Sequence, residues 1–302
     1  MKAVVLHEFG GPGKLKYEDV ADPVAGEGEV LVRLTASSVN PIDYKLRSGV
    51  MQAYQPLELP TILGRDVSGI VREVGTGVSG FAPGDKVMGL GNRAYAELVV
   101  VKAEDLTHVP EKLDLVEAAA LPLVTLTGEQ LITRGTKIQS GQTVLVLGAV
   151  GNVGRSAVWT AKKAGAVVIA GVKKSQLKTA AELGADQVLA LDDAKAMDKL
   201  GFVDAVADTV GGEAAENLLG KVKQGGAFAS VLGAPANAQM HPTIRIEAVR
   251  ATPDGPMLKT LAEDVVAGRL MIPIDRMLPL AEAGEAQAAA EKGGIGKVLL
   301  LA

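Results

Sequence analysis

An apolar run that stops at spaced glycines governs the middle of the chain. Thr143-Val-Leu-Val-Leu-Gly148-Ala-Val-Gly151-Asn-Val-Gly154 leads into Arg155-Ser-Ala-Val-Trp-Thr-Ala-Lys-Lys-Ala-Gly165, which reads as a helix with a glycine stop. A second apolar run, Ala166-Val-Val-Ile-Ala170, ends in the basic turn Val172-Lys173-Lys174-Ser175. Val and Leu fill both faces of the first run, as in a strand buried inside a parallel sheet. In strand, glycine turn, helix, strand, each part has a physical job. Gly148 permits a tight turn, Gly151 leaves the backbone open to a pyrophosphate, and Gly154 lets the helix pack close to the strand. The helix N-terminus offers free N–H groups and partial positive charge to phosphates. The order of parts predicts a dinucleotide on the turn formed by Gly148, Ala149, Val150, Gly151, Asn152, Val153 and Gly154.

The end of the second strand bears on which dinucleotide. A site for the form without a 2′-phosphate usually places Asp or Glu about 20 residues beyond the glycines, to accept from the ribose 2′-OH. Between Arg155 and Ala181 there is no acidic residue, and Lys162, Lys163, Lys173, Lys174 and Lys178 stand there instead. Lysine at the strand end attracts a phosphate that a carboxylate would repel. NADP(H), read by Lys173 and Lys174, is therefore the expected cofactor. Lys162, Lys163 and Lys178 fall on or near helix ends and read as solvated surface lysines.

The totals narrow the function classes. A chain of 302 residues holds one large domain or two ordinary ones, and 48% hydrophobic with 22% charged residues is globular and core-rich. The formal net charge of -4 lacks the basic footprint of a nucleic-acid binder. No apolar run approaches the roughly 18 residues of a membrane helix. Met1-Lys-Ala-Val-Val-Leu-His7 runs straight into a strand pattern without a signal-peptide plan, so the cytoplasm is the expected compartment. With no Cys, thiolate catalysis, disulfides and Cys-ligated zinc are excluded. His7, His108 and His241 are isolated and show no metal-ligand spacing.

The character of the chain changes near residue 115. Before it, short strands alternate with Gly/Pro turns, at 2–7, Leu15 to Val20, Glu29 to Thr35, the centre of 63–75, after Pro83-Gly84, and Tyr95 to Val101. This pattern fits a partly open β-barrel. Asn40-Pro-Ile-Asp-Tyr-Lys-Leu-Arg-Ser-Gly49 is a turn leading into a short helix. Beyond 115, Leu115 to Leu121 is helical, Pro122 is expected to interrupt it, and Thr125 to Ile132 resumes. Strands and helices then alternate as in a doubly wound sheet. Strands are expected at 187–191, 204–208, 227–232 and 244–249, with Gly211-Gly212 and Gly225-Gly226 marking turns. An amphipathic helix at 256–268 with Leu258, Leu261, Val265 and Val266 on one face, a helix around 281–291 and a strand at 297–301 close the chain. Two domains along a cleft, with the ligand in the cleft, is the expectation.

Several strings resemble the medium-chain dehydrogenase/reductase superfamily, and its zinc-independent quinone oxidoreductase (zeta-crystallin-like) branch in particular. They are Ser38 to Gly49, Leu63-Gly-Arg-Asp-Val-Ser-Gly69, Pro83-Gly-Asp-Lys-Val87, Ala118-Ala-Ala-Leu-Pro122 with Leu126-Thr127, Gly148 to Gly154, Leu183-Gly-Ala-Asp186, Asp208-Thr-Val-Gly-Gly212 and Gly296-Lys-Val298. Each is weak alone; their order along nearly the whole chain is specific. The resemblance implies an α/β fold, with a GroES-like partly open β-barrel catalytic domain at 1–122 and 253–302 around a Rossmann domain at 123–252. It places Asn40 and Thr127 near the nicotinamide, and Thr209 and the Val231-Leu232-Gly233 turn along the cofactor. It also implies a homodimer or homotetramer. Zinc relatives carry Gly-His-Glu where this chain reads Gly64-Arg65-Asp66, and their Cys ligand is absent here, so no metal is expected. Two departures stand out. Asn152 replaces a Gly common in the glycine string, and the Tyr that some relatives carry after the strand ending at Leu191 is missing.

Without a metal to polarise an oxygen, the acceptor must be activated by its own conjugation. A quinone or an α,β-unsaturated carbonyl fits, with hydride from NADPH and charge moving to an enolate oxygen. The protein's part is then positioning and electrostatics. Candidate donors are Asp43, Tyr44, Lys45, Tyr54 and Arg65, with Tyr44 and Arg65 taken as the catalytic pair. Each has a plainer reading beside it. Asn40 is a nicotinamide ligand or a helix N-cap before Pro41. Asp43 holds the turn, Tyr44 packs with its OH at the surface, and Arg65 forms a buried ion pair with a carboxylate such as Asp66. Two other functions stay open, a non-catalytic NADPH-binding protein and an enoyl-thioester reductase.

Overall fold

In the computed structural model, which describes residues 1–294 and 296–302, the alternating segments of the first hundred residues become short strands. They are β1 (Lys2–Leu6), β2 (Leu15–Asp19), β3 (Glu29–Ser38), β4 (Thr61–Ile62), β5 (Asp66–Val74), β6 (Lys86–Leu90), β7 (Leu98–Lys102) and β8 (Leu106–His108), with helix α1 (Pro41–Ser48) after β3 and α2 (Leu115–Ala118) after β8. In chain order there follow α3 (Pro122–Gln130), β9 (Thr143–Leu147), α4 (Asn152–Lys163), β10 (Val167–Val172), α5 (Leu177–Ala181), β11 (Gln187–Ala190), α6 (Ala194–Asp198), β12 (Val203–Asp208), α7 (Gly212–Leu219), β13 (Val222–Ser230) and β14 (Arg245–Ala248). The chain closes with α8 (Gly255–Val266), β15 (Ile274–Pro279), α9 (Ala283–Glu291) and β16 (Lys297–Leu301). Contacts divide these elements into two units, residues 1–123, 253–268 and 272–302 in one, and 124–252 with 269–271 in the other.

The first unit is built on β3, the longest strand. It pairs antiparallel with β5, β7 and β16 at different registers, so the sheet β15-β16-β3-β5-β6-β8 curls on itself in the GroES-like manner. Val30, Val32, Val67, Val87, Val99 and Leu106 fill its inside. A second small sheet, β2-β1-β4, covers a neighbouring core of Val4, Leu6, Leu46, Tyr95 and Leu300. The sequence pattern gave no warning of β15, whose residues Asp275, Arg276 and Met277 are exposed and which is held by parallel pairing to β16.

The second unit is a parallel six-stranded sheet of order β11-β10-β9-β12-β13-β14, a Rossmann-like doubly wound arrangement. Its direction of winding reverses between β9 and β12, the topological switch point where such sheets bind ligands. β9 and β10 are buried along almost their whole length, as their unbroken apolar runs required.

Local expectations change at four places. Pro122 does follow a break in the helix, since α2 ends at Ala118, but the helix resumes at Pro122 itself rather than at Thr125. This proline is the first residue of α3, where a missing N–H costs nothing, and that helix continues into a π-helical stretch at Leu131–Thr136. Gly225-Gly226 is not a turn between strands but lies inside β13, beside a register shift in its pairing with β12. Gly225 has φ of +76°, and a Cβ on Gly226 would meet Asp204 O at 2.6 Å, so the pair forms a bulge that only glycine fits. In α8, Leu258 and Leu261 are buried, whereas Val266 is exposed and Asp264 is buried. Leu232 lies beyond the end of β13 and is exposed.

Candidate functional site

The glycine turn sits at the carboxyl end of β9. Gly148 has φ of +81°, and a Cβ there would lie 2.7 Å from Val210 Cγ2 and closer still to Thr209 Oγ1. Gly154 lies on the first turn of α4, where a Cβ would reach Ala149 Cα at 2.8 Å and collide with Gly148 O. Gly151 differs. Its φ is -69°, and an added Cβ would find only Gly148 O, at 3.3 Å. Two of the glycines are thus required by the protein itself, and the third is the least crowded of the three, at the start of a 12-residue helix whose N-terminus suits a phosphate. Ala149 and Val150 are buried under the turn, while Asn152 and Val153 are partly exposed.

The neighbouring strand ends close around it. Thr209 donates its N–H (3.2 Å) and its hydroxyl (2.7 Å) to Leu147 O, which pins its side chain beside Gly148. Asp208, buried at the end of β12, accepts from the N–H groups of Val210 and Gly211 at 2.8 Å each, and from the Ser230 hydroxyl at 2.6 Å. Ser230 Oγ in turn accepts from Leu232 N–H, and Val231 N–H reaches Asp208 O at 3.1 Å. One carboxylate therefore shapes both the 209–211 and the 231–233 turns. Sequence reasoning named Thr209, Val231, Leu232 and Gly233 but missed Asp208 and Ser230 as their organisers. The signal was present, since an acid at a buried strand end before Gly-Gly needs backbone partners. Thr127 is buried in α3. Next to it Gly128 packs on α4, where a Cβ would lie 2.6 Å from Ser156 Cβ.

Lys173 and Lys174 follow β10, both exposed. The acid-free stretch in the sequence is not acid-free in space. Lys174 N–H donates to Asp192 Oδ1 at 2.7 Å, and Lys174 Nζ stands 3.9 Å from Asp193 Oδ2.

In the first unit, Asn40 caps α1 and is buried. Its Nδ2 donates to Asp66 Oδ2 at 2.7 Å, and its Oδ1 accepts from Lys297 Nζ at 2.7 Å. Asp66 is fully buried and also accepts from the Ser38 hydroxyl and from Leu123 N–H at 2.6 Å, with Lys297 Nζ 3.7 Å away. The ion pair of Asp66 is therefore with Lys297 and not with Arg65. Arg65 is half-buried and donates from Nε to Gly91 O at 2.8 Å, which leaves both Nη groups free among the described residues. Burial drives the Lys297 ammonium below its ordinary value, against the pull of Asp66 and Asp43. Asp43 accepts from Asn40 N–H (2.8 Å) and the Tyr95 hydroxyl (2.9 Å), and burial pushes its carboxyl up to about 6. Tyr44 on α1 is half-buried, and its phenol is raised by burial and then by Glu291 and Asp43, so it stays a proton-bearing donor. Tyr54 is 74% exposed, which leaves it without a pocket to serve from.

Residues 26–111 match the alcohol dehydrogenase GroES-like domain family, and residues 183–300 match the zinc-binding dehydrogenase family. The quinone oxidoreductase of Coxiella burnetii has the same fold with a TM-score of 0.88 and 30% identity, over 100% of this chain and 99% of that one. The chain belongs to the quinone oxidoreductase family of medium-chain dehydrogenase/reductases. A mycobacterial family structure, in complex with NADPH, superimposes with a TM-score of 0.86 at 30% identity over 100% of both chains. The chloroplast envelope quinone oxidoreductase homolog of Arabidopsis thaliana is 36% identical over 199 residues, which is 63% of this chain and 60% of that protein. Against that curated relative the match thus spans somewhat under two thirds of its length. The donor set here does not suit zinc: the chain has no Cys, and the cation facing Asp66 is Lys297.

Proposed function

We propose that this protein is an NADPH-dependent oxidoreductase that passes hydride, without a metal, to a quinone or an α,β-unsaturated carbonyl. The observation that carries the reading is the gathering of the Gly148–Gly154 turn, the Thr209 turn, the 231–233 turn and Lys173-Lys174 at the carboxyl ends of four adjacent parallel strands. The residues fit a dinucleotide, since Gly151 leaves open the approach that a Cβ would narrow, and α4 points its N-terminus at it. The likeness to a protein solved with NADPH supports the cofactor class, and the names of the relatives support the acceptor class.

Bound NADPH supplies the hydride. The protein's own groups orient and stabilise. Gly151 and the first turn of α4 receive the pyrophosphate, and Lys173 and Lys174 offer two ammonium groups to the 2′-phosphate. Val231, Leu232 and Gly233, with Thr209, line the cofactor beyond the switch point, and Thr127 on α3 serves its nicotinamide end. On the first unit, the free Nη groups of Arg65 can stabilise charge that develops on an enolate oxygen. The Tyr44 phenol, which stays protonated at neutral pH, is the proton donor in this reading. Asn40, whose amide is held between Asp66 and Lys297, keeps the entrance to α1 fixed.

Direct titration tests the cofactor assignment. Replacing both lysines, Lys173→Ala with Lys174→Ala, should weaken NADPH binding by about tenfold and leave NADH binding nearly unchanged. Equal affinity of wild type and variant for NADPH would remove the assignment.

A further inference from the structure

The parallel pairing of β10 with β11 sets Val172 opposite Ala190, and Leu191 N–H donates to Val172 O at 2.8 Å. Both strands therefore end at the same level. The residues that follow them, Lys173-Lys174 and Asp192-Asp193, share one surface. The two carboxylates are not equivalent. Asp193 Oδ1 accepts from the N–H groups of Lys195 (3.0 Å) and Ala196 (3.3 Å) and so caps α6, while its Oδ2 lies 3.9 Å from the Lys174 ammonium. Asp192 uses only Oδ1, on Lys174 N–H, and is exposed. Its Oδ2 has no partner among the described residues. That oxygen is held at the foot of the lysine that the 2′-phosphate is expected to meet.

A carboxylate in that place acts in two directions. It repels a phosphate dianion, and it accepts a hydrogen bond from a free ribose 2′-OH. We propose that Asp192 is the specificity-determining residue of the adenosine end, restraining the preference for the 2′-phosphate so that this protein binds both NADPH and NADH. The inference rests on the placement of the dinucleotide at the β10 end given above. Lys173 and Lys174 supply attraction, and Asp192 offsets part of it while giving the unphosphorylated ribose an acceptor. Because the group is exposed, solvent and salt weaken its effect, and the expected change is about fivefold in relative affinity.

Equilibrium dissociation constants of NADPH and NADH, measured by calorimetry on the full chain, test this. Asp192→Asn keeps an acceptor for Lys174 N–H but removes the charge. It should raise the NADPH/NADH affinity ratio about fivefold, through tighter NADPH and unchanged or weaker NADH. Asp192→Ser is the second variant, and thermal unfolding confirms that either one is folded. A ratio that does not move in either folded variant overturns the role of Asp192. The double lysine variant reports separately. If it loses NADPH affinity while the Asp192 variants leave the ratio alone, the phosphate placement holds and this inference alone fails. If it leaves NADPH affinity intact, the phosphate placement fails, and the Asp192 variants still decide their own question by the ratio.

Discussion

Asp43 carries an ionisable group where ionisation is costly. It is fully buried, Oδ1 has no partner among the described residues, and burial lifts its carboxyl up to about 6 against the pull of Asn40 N–H and the Tyr95 hydroxyl. An unfolded chain binds that proton near pH 4. The folded form holds it more tightly, so the associated stability is full below pH 4 and is lost as pH rises through 6. A rise of about two units corresponds to about 3 kcal/mol. Asp43→Asn cannot ionise and should lack this dependence. Denaturant midpoints at pH 4, 5, 6 and 7 should show the variant gaining on the wild type as pH increases. A difference that stays constant over that range would contradict the buried carboxyl. The sequence placed Asp43 in a turn before a short helix, and its bond to Asn40 N–H is that role. Its depth was not legible, because the Tyr95 hydroxyl that meets it comes from a segment 52 residues away.

Elements explain which glycines tolerate change. Gly154 lets α4 lie against the turn after β9, and a Cβ there would overlap backbone of Gly148 and Ala149. Gly154→Ala should therefore lower stability by about 1–3 kcal/mol, read as a fall in Tm. Gly151→Ala should lower Tm less than Gly154→Ala does, because the added methyl meets one backbone oxygen at 3.3 Å, a tight contact that a small shift relieves, and the φ of -69° suits any residue. Yet it should weaken NADPH binding, because it narrows the space of the pyrophosphate. Loss of Tm without loss of affinity in Gly151→Ala would reverse the assignment. β16 offers a second case. Lys297 opens this strand and brings its buried ammonium to Asn40 Oδ1, Val39 O and Asp66. Lys297→Met leaves the Asp66 carboxylate without its cation and should cost about 3–5 kcal/mol by chemical denaturation. Asp66→Asn in the same chain should recover much of that loss, since the unpaired charge is then gone. The terminal Gly296-Lys-Val298 string was visible in the sequence, but its partners Asn40 and Asp66 were assigned other company. A period-2 pattern gives a strand and its buried face, not the polar group that waits opposite. For the same reason Gly225-Gly226 read as a turn when it is a bulge inside β13, and Asp192 stayed out of sight until β11 paired with β10.

At the scale of the whole molecule, the chemistry follows from which donors the chain owns. It has no Cys, and its three His residues are scattered. His7 lies 2.9 Å from Glu18, and His108 lies 3.2 Å from Asp85 and stacks on Phe81. Among the described residues no three His, Cys, Asp or Glu side chains are grouped to hold a metal ion. In the proposed function, activation of an acceptor comes from the acceptor's own conjugation, together with Arg65 and Tyr44. A conjugated enone or quinone lowers the barrier to hydride by spreading charge onto a distant oxygen, which a saturated ketone cannot do. NADPH oxidation should therefore proceed with an α,β-unsaturated ketone or a benzoquinone and be undetectable with the saturated analogue of the same enone. Prolonged dialysis against EDTA or 1,10-phenanthroline should leave the rate with the enone unchanged. Arg65→Ala should lower kcat by one to two orders of magnitude with little change in KM, because the charge it answers develops only as hydride arrives. A rate lost to chelation and restored by added zinc, or equal turnover of the saturated and unsaturated ketones, would show that an outside Lewis acid does the work assigned to the substrate's own double bond.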